Sequence, residues 1–132
     1  MVRPPPCPIT GRDRDEDALA AAKRNVSAAK LGSGVSIEEA DALLAGPPDG
    51  PPGLILSNPP YGDRLGGGQG QKGMKSFYFK LGGTLGAWHG WRLVLLAGNP
   101  GFESAFHLRP TRREDFWNGP IECRLLHYAA RP

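Results

Sequence analysis

Leu54-Ile55-Leu56-Ser57-Asn58-Pro59-Pro60-Tyr61-Gly62 is a short apolar run that ends abruptly in an amide, two prolines and an aromatic ring. Leu54 to Leu56 read as a buried strand, and Pro59-Pro60 cannot continue it because neither has an N–H to donate. Asn58, Tyr61 and the carbonyls between them are therefore held on a stiff turn at the strand's carboxyl end. In open α/β sheets that is the end where ligands bind. A rigid double-proline turn loses little entropy on binding, and it sets acceptors (the Asn58 amide oxygen and carbonyls) beside a flat ring. A planar group carrying an NH2 fits such a turn: two acceptors take its hydrogens while the ring stacks on its face.

Asn58-Pro59-Pro60-Tyr61 resembles the signature of S-adenosylmethionine-dependent methyltransferases that modify exocyclic or amide nitrogens. Within that class, Ser57-Asn58-Pro59-Pro60-Tyr61-Gly62-Asp63-Arg64-Leu65 is most similar to the RNA guanine-N2 methyltransferases that usually carry a THUMP domain upstream. The resemblance implies S-adenosylmethionine as cofactor and rRNA or tRNA as partner. It also implies a Rossmann-like class I methyltransferase sheet, an α/β fold finishing in an antiparallel β-hairpin.

Bulk properties agree with a thin-cored α/β protein. The chain has 132 residues, 39% of them hydrophobic, and its 19 glycines and 14 prolines form no periodic repeat. No apolar run is long enough for a membrane span, and Met1-Val2-Arg3-Pro4-Pro5-Pro6 lacks the apolar core of a secretory signal. Cys7 and Cys123 are too few for a disulfide framework and too far apart for a metal site, so a reducing cytoplasm is expected, with no metal. The net charge of +3 is uneven: residues 1–50 are acidic on balance and residues 51–132 basic. That asymmetry suits a cationic small molecule on one side and a polyanion on the other.

Taken in order, residues 1–8 read as a proline-rich leader and residues 9–132 as a partial methyltransferase domain. Ile9 to Gly11 is a short strand. Asp15, Glu16 and Asp17 then open a helix whose stripe is Leu19, Ala22, Val26 and Ala29, with Gly32 expected just past its end. Val35 to Glu38 is the next strand, Leu54 to Ser57 follows, and Gly62 to Gly73 reads as a glycine-rich loop. Lys75 to Trp88 is expected to be a helix weakened by Gly82, Gly83 and Gly86. Trp91 to Ala97 reads as a central strand and Phe102 to Leu108 as a short helix. Arg112 to Trp117 and Ile121 to Ala129 form a hairpin across Asn118-Gly119. The three tryptophans, Trp88, Trp91 and Trp117, read as core anchors, and the three histidines as surface or packing residues.

Site residues follow from strand ends. A carboxylate just past a strand can take both hydroxyls of a ribose, and the resemblance gives that role to Asp13, with Asp15 suited instead to capping the helix. By the same resemblance Asp41 accepts from the adenine amino group, and Asn58 serves both cofactor and methyl-accepting sites. An aromatic amine is a poor nucleophile because its lone pair is delocalised. Acceptance of both its hydrogens by Asn58 and the Pro59 carbonyl frees that pair for in-line attack, so Asn58, Pro59, Pro60 and Tyr61 are the catalytic candidates. Tyr61 would hold the base, and Arg64, Lys72 and Lys75 would touch base or phosphates.

One part of the family pattern is absent. A complete enzyme of this kind has a first strand and a glycine-rich cofactor turn upstream of Asp13, and Met1 to Thr10 does not match them. Loss of that strand leaves a gap of ~10 Å between strands that would each pair with it. Both flanking strands would then have an open edge. A partner chain, a rearranged leader or closure of the sheet could fill the gap, but truncation of a longer domain is the favoured account. The chain alone is then expected to bind cofactor weakly or not at all and to be weakly active or inactive. Other targets stay open: DNA adenine N6, a protein glutamine amide, or a non-catalytic RNA-binding remnant.

Overall fold

The computed structural model describes residues 3–62 and 70–132. Its elements run β1 (Ile9–Asp13), α1 (Glu16–Ala28), β2 (Val35–Glu39), β3 (Leu54–Ser57), α2 (Gly70–Gly86), β4 (Arg92–Ala97), α3 (Phe102–Phe106), β5 (Arg112–Asn118) and β6 (Ile121–Tyr128). This is the order read from the sequence. The chain forms two compact units, Met1–Pro48 and Asp49–Pro132.

In the first unit, β1 and β2 pair in parallel from Ile9 opposite Val35 to Asp13 opposite Glu39. The α1 crossover packs Leu19 against them, with Ala22 and Val26 half-buried behind it. The Asp15 carboxylate accepts from the N–H groups of Asp17 and Ala18, satisfying donors that the first turn leaves without partners. At the other end the helix does not stop on Gly32. Lys30 takes the left-handed conformation (φ 57°), with Leu31 N donating to the Val26 carbonyl and Lys30 N to that of Ser27. That is a Schellman cap built on a lysine, two residues earlier than the glycine suggested. The leader contributes too: the Pro5 ring lies so close to Gly34 that a Cβ there would meet it at 2.4 Å.

The second unit is a four-stranded sheet in the order β3-β4-β6-β5. β3 and β4 are parallel, while β6 runs antiparallel between β4 and β5. One face carries Leu93, Leu95, Leu126 and Tyr128, all buried. Against it α2 and α3 place a ladder of rings, Tyr78 to Phe102 at 4.7 Å, Phe102 to Phe106 at 4.8 Å, and Phe106 to Tyr128 at 5.3 Å. Burying each such side chain contributes ~1.5–3 kcal/mol. The other face is less covered: on β3, Leu54 is 50% exposed and Leu56 73%. β3 is an end strand of this four-stranded sheet, and β1 pairs only in the two-stranded one.

Several boundaries differ from expectation. α2 begins at Gly70, five residues before Lys75, so the stretch from Gly70 to Gly73 is helical. Trp91 precedes β4 and packs edge-on against Trp88 at 5.5 Å. α3 ends at Phe106 because His107 turns left-handed (φ 65°). The hairpin pairs Asn118 with Ile121, so its two loop residues are Gly119 and Pro120, and Gly119 supplies the positive φ of 61°. Trp117 is not a core anchor: it is 62% exposed on an edge strand.

Candidate active site

The first unit brings two of the proposed cofactor carboxylates to one end of its sheet. Asp13 closes β1, and the Ala40 N–H donates to the Asp13 carbonyl, carrying the parallel ladder one step beyond β2. Asp41 follows at the same end. The two acids are held differently. Asp13 Oδ1 accepts from the Asp15 N–H at 2.9 Å and the side chain is otherwise exposed, whereas Asp41 is half-buried with Oδ1 on the Leu43 N–H at 2.8 Å. Each carboxylate is thus oriented by a local turn. A groove of about 440 Å³ lined by Lys23, Ser27, Lys30 and Ser33 lies elsewhere, where the chain enters β2.

In the second unit the Asn58-Pro59-Pro60-Tyr61 turn leaves the carboxyl end of β3 as the sequence predicts. Pro59 is buried and Asn58 is exposed. Residues far along the chain hold the turn from behind. The Tyr78 hydroxyl, on α2, donates to the Pro60 carbonyl. The Asn99 amide, just past β4, donates through Nδ2 to the Tyr61 carbonyl at 2.9 Å, while its Oδ1 accepts from the Gly101 N–H at 2.8 Å. Asn99 is only 9% exposed, and both ends of its amide are used. Among the described residues, none donates to the Pro59 carbonyl.

Tyr61 is anchored at both ends. A Cβ on Gly98 would lie 2.5, 2.5 and 2.6 Å from three adjacent ring atoms. Near-equal distances to three neighbours put that point over the ring's face, so one face of Tyr61 is seated on the Gly98 backbone. Its hydroxyl lies 3.4 Å from Asn118 Nδ2, and the Cys123 thiol donates to it at 3.6 Å. Burial raises the Tyr61 pKa; the Asn118 amide pulls it back, Cys123 pushes it up, and the Asn58 amide acts like Asn118. Burial also pushes Tyr78 up to about 12. Both phenols therefore keep their protons at neutral pH, which is what Tyr78 needs in order to donate.

Lys72 and Lys75 are exposed on α2, so Lys72 is helical rather than part of the glycine-rich loop, and residues 63–69 of that loop, Arg64 among them, lie outside the described residues. His89 meets the Pro132 carbonyl, His107 lies edge-on to Phe79, and His127 pairs with Glu114, so all three have packing or surface roles. Among the described residues no cluster of His, Cys, Asp or Glu is placed to hold a metal, and no helix is long and apolar enough to cross a membrane. Sequence reading missed Tyr78, Gly98, Asn99 and Asn118. They stand 18 to 57 positions from the residues they hold, and no local spacing announces them.

Parallel strands ending in acceptors, with a final strand entering antiparallel, define the Rossmann-like class I methyltransferase fold. Solved structures match it closely: a possible methylase from Clostridium difficile 630 has a TM-score of 0.83 at 25% identity, covering 95% of this chain and 32% of that one. TrmN from Thermus thermophilus has 0.75 at 25% identity, covering 96% and 37%. SMU.472, a putative methyltransferase solved with SAH, has 0.83 at 23% identity, covering 94% and 32%, and supports the fold alone.

The chain belongs to the RMKL-like methyltransferase domain family, whose sequence model matches residues 2–127. Among its relatives, the ribosomal RNA large subunit methyltransferase K/L of Chromohalobacter salexigens is 38% identical over 121 residues, 89% of this chain and 16% of that protein. The Syntrophotalea carbinolica protein of the same name is 37% identical over 127 residues, 93% of this chain and 17% of its own length. The chain thus spans about a sixth of the length of these curated relatives.

Proposed function

We propose that the protein is part of an enzyme that transfers a methyl group from S-adenosylmethionine to the exocyclic N2 of a guanine in rRNA or tRNA, this chain alone being a weakly active or inactive piece of it. The observation that carries this reading is the Asn58-Pro59-Pro60-Tyr61 turn, with an exposed amide and a Pro59 carbonyl that no described residue engages. Two acceptors side by side are what an exocyclic NH2 requires, and they would draw its hydrogens away from the plane of the base. Similarity to ribosomal RNA large subunit methyltransferases favours RNA over DNA or protein as substrate. Tyr61 would stack on the base with the face turned away from Gly98, a contact worth ~1–3 kcal/mol in nucleic-acid complexes. Exposed Lys72 and Lys75, with Arg64, would meet phosphates.

The residues present fit the cofactor in part. Asp13, exposed and with only one oxygen engaged by the Asp15 N–H, has the chemistry to take the ribose hydroxyls; Asp41 would face the adenine amine. S-adenosylmethionine, when bound, supplies a methyl on a sulfonium, and its sulfide leaves without an acid. No glycine-rich turn for its methionine end is found among the described residues. We therefore read residues 9–132 as the carboxyl-terminal part of a catalytic domain, with residues 1–8 as its lead-in. The missing strand would come from an upstream segment or another chain, and the working compartment is the cytoplasm.

The test is transfer of labelled methyl to separate RNA, DNA and protein fractions by the chain joined to the upstream segment that supplies the cofactor turn. Calorimetric titration of S-adenosylmethionine into the chain alone is expected to show weak binding or none. Label in RNA that vanishes with Asn58→Ala is the expected result. Label in DNA or protein, or RNA binding without transfer, would replace this reading with one of the alternatives.

A further inference from the structure

The turn contains three successive carbonyls, on Pro59, Pro60 and Tyr61, and they have unequal fates. Tyr78 engages the second and Asn99 the third, and among the described residues the first is left unengaged. A flexible turn could offer any of the three, or rotate them between uses. Here the choice is fixed by two side chains from different elements, one on α2 and one past β4.

Neither donor is free to do otherwise. Tyr78 is 1% exposed, its ring packed on Phe102 at 4.7 Å, so its hydroxyl reaches Pro60 from a rigid base. The Asn99 amide can sit only one way round. Gly101 N–H needs an acceptor, which assigns Oδ1 to it and leaves Nδ2 to face Tyr61. Tyr78 and Asn99 also lie within each other's influence, since the Asn99 side chain lowers the tyrosine's pKa while burial raises it.

We propose that Tyr78 and Asn99 are positioning residues of the methyl-accepting turn. By occupying the Pro60 and Tyr61 carbonyls from behind, they leave the Pro59 carbonyl, beside Asn58, as the acceptor for the substrate amine. This rests on the function proposed above. Neither residue touches the substrate; each acts by fixing which carbonyl the turn presents. In-line attack tolerates little angular error, so a turn free to rotate lowers turnover more than binding.

The experiment uses Tyr78→Phe, which removes only the hydroxyl, and Asn99→Ser, which keeps a small polar group but shortens the reach. Methyl-transfer kinetics on RNA are expected to show kcat lower by about 10-fold or more in each. KM for S-adenosylmethionine and for RNA should stay close to wild type, and Asn58→Ala should abolish transfer. In parallel, ¹³C NMR of the labelled chain should show the Pro60 carbonyl resonance move in Tyr78→Phe and that of Tyr61 move in Asn99→Ser. Unchanged kcat with active wild type overturns the proposal and leaves the function standing. A kcat loss that only tracks a lower melting temperature makes both residues simple packing groups, which also overturns it. These kinetics use the chain joined to the upstream segment that supplies the cofactor turn. If that wild type transfers no methyl group, the function reading fails, and carbonyl resonances that stay in place in both variants overturn the clamp as well.

Discussion

Gly98 is an unremarkable residue in the sequence, at the end of an apolar strand where a glycine reads as punctuation. In the fold its missing side chain is what seats Tyr61. A methyl group there would lie about 2.5 Å from three ring atoms, well inside van der Waals contact, so the ring must move. Gly98→Ala is expected to displace Tyr61 and with it the hydroxyl contacts to Asn118 and Cys123. Overpacking of this kind costs about 1–3 kcal/mol, which a thermal melt will read. Methyl transfer should fall by at least the factor seen for Tyr61→Ala, and a fully active Gly98→Ala enzyme would show that the seat has no bearing on the base. The motif itself was legible because its chemistry is contiguous. Its supports were not, since Tyr78, Gly98 and Asn99 reach it only through the packing of α2 and β4.

At the scale of elements, the order and kinds of the strands and helices were readable because periodicity and turn residues are local signals. Their ends and their glycines were not. Gly82 and Gly83 look alike in the sequence, both weakening α2. In the structure Gly83 faces open space, whereas a Cβ on Gly82 would come within 2.0 Å of the Phe106 carbonyl oxygen, where α2 crosses α3. The two substitutions should therefore differ in sign. Gly83→Ala is expected to stabilise by about 0.5–1 kcal/mol, the ordinary helix gain. Gly82→Ala must push backbone apart and should destabilise by about 1–3 kcal/mol. Denaturant midpoints of the two variants decide this, and equal shifts would mean that the helix crossing has been misjudged. The cap of α1 gives a second case. Lys30 holds φ 57°, a conformation that costs a side-chain-bearing residue about 1 kcal/mol relative to glycine. Lys30→Gly should then raise stability, although the sequence had assigned the stop to Gly32. A lower midpoint for Lys30→Gly would indicate that the lysine stem contributes more packing than the backbone strain costs.

For the whole molecule, the division into a two-stranded and a four-stranded sheet follows the strand order that the sequence suggested. What the sequence could not show is how the second unit ties its short α3 to the terminal hairpin. Glu103, on α3, receives Arg113 Nε at 2.6 Å and Arg124 Nη1 at 2.9 Å, from β5 and β6 respectively. Burial works against the charge on Glu103, but the two arginines outweigh it and hold the carboxyl below its usual 4.5. The sign follows from linkage. A carboxyl with a depressed folded pKa contributes stability that is complete above the unfolded value and is lost as pH falls through the folded one. Glu114, held down first by His127 and also by Arg112, acts in the same direction on the same hairpin. The melting temperature should therefore hold steady at neutral pH and decline once pH drops below about 4.5. Glu103→Gln removes the charge without changing the shape, so its melting temperature should lie below wild type at neutral pH and meet it under acid. Thermal melts of both proteins from about pH 7 to about pH 3 make the comparison. Two curves that stay parallel throughout would mean that the paired arginines do not carry the link between α3 and the hairpin.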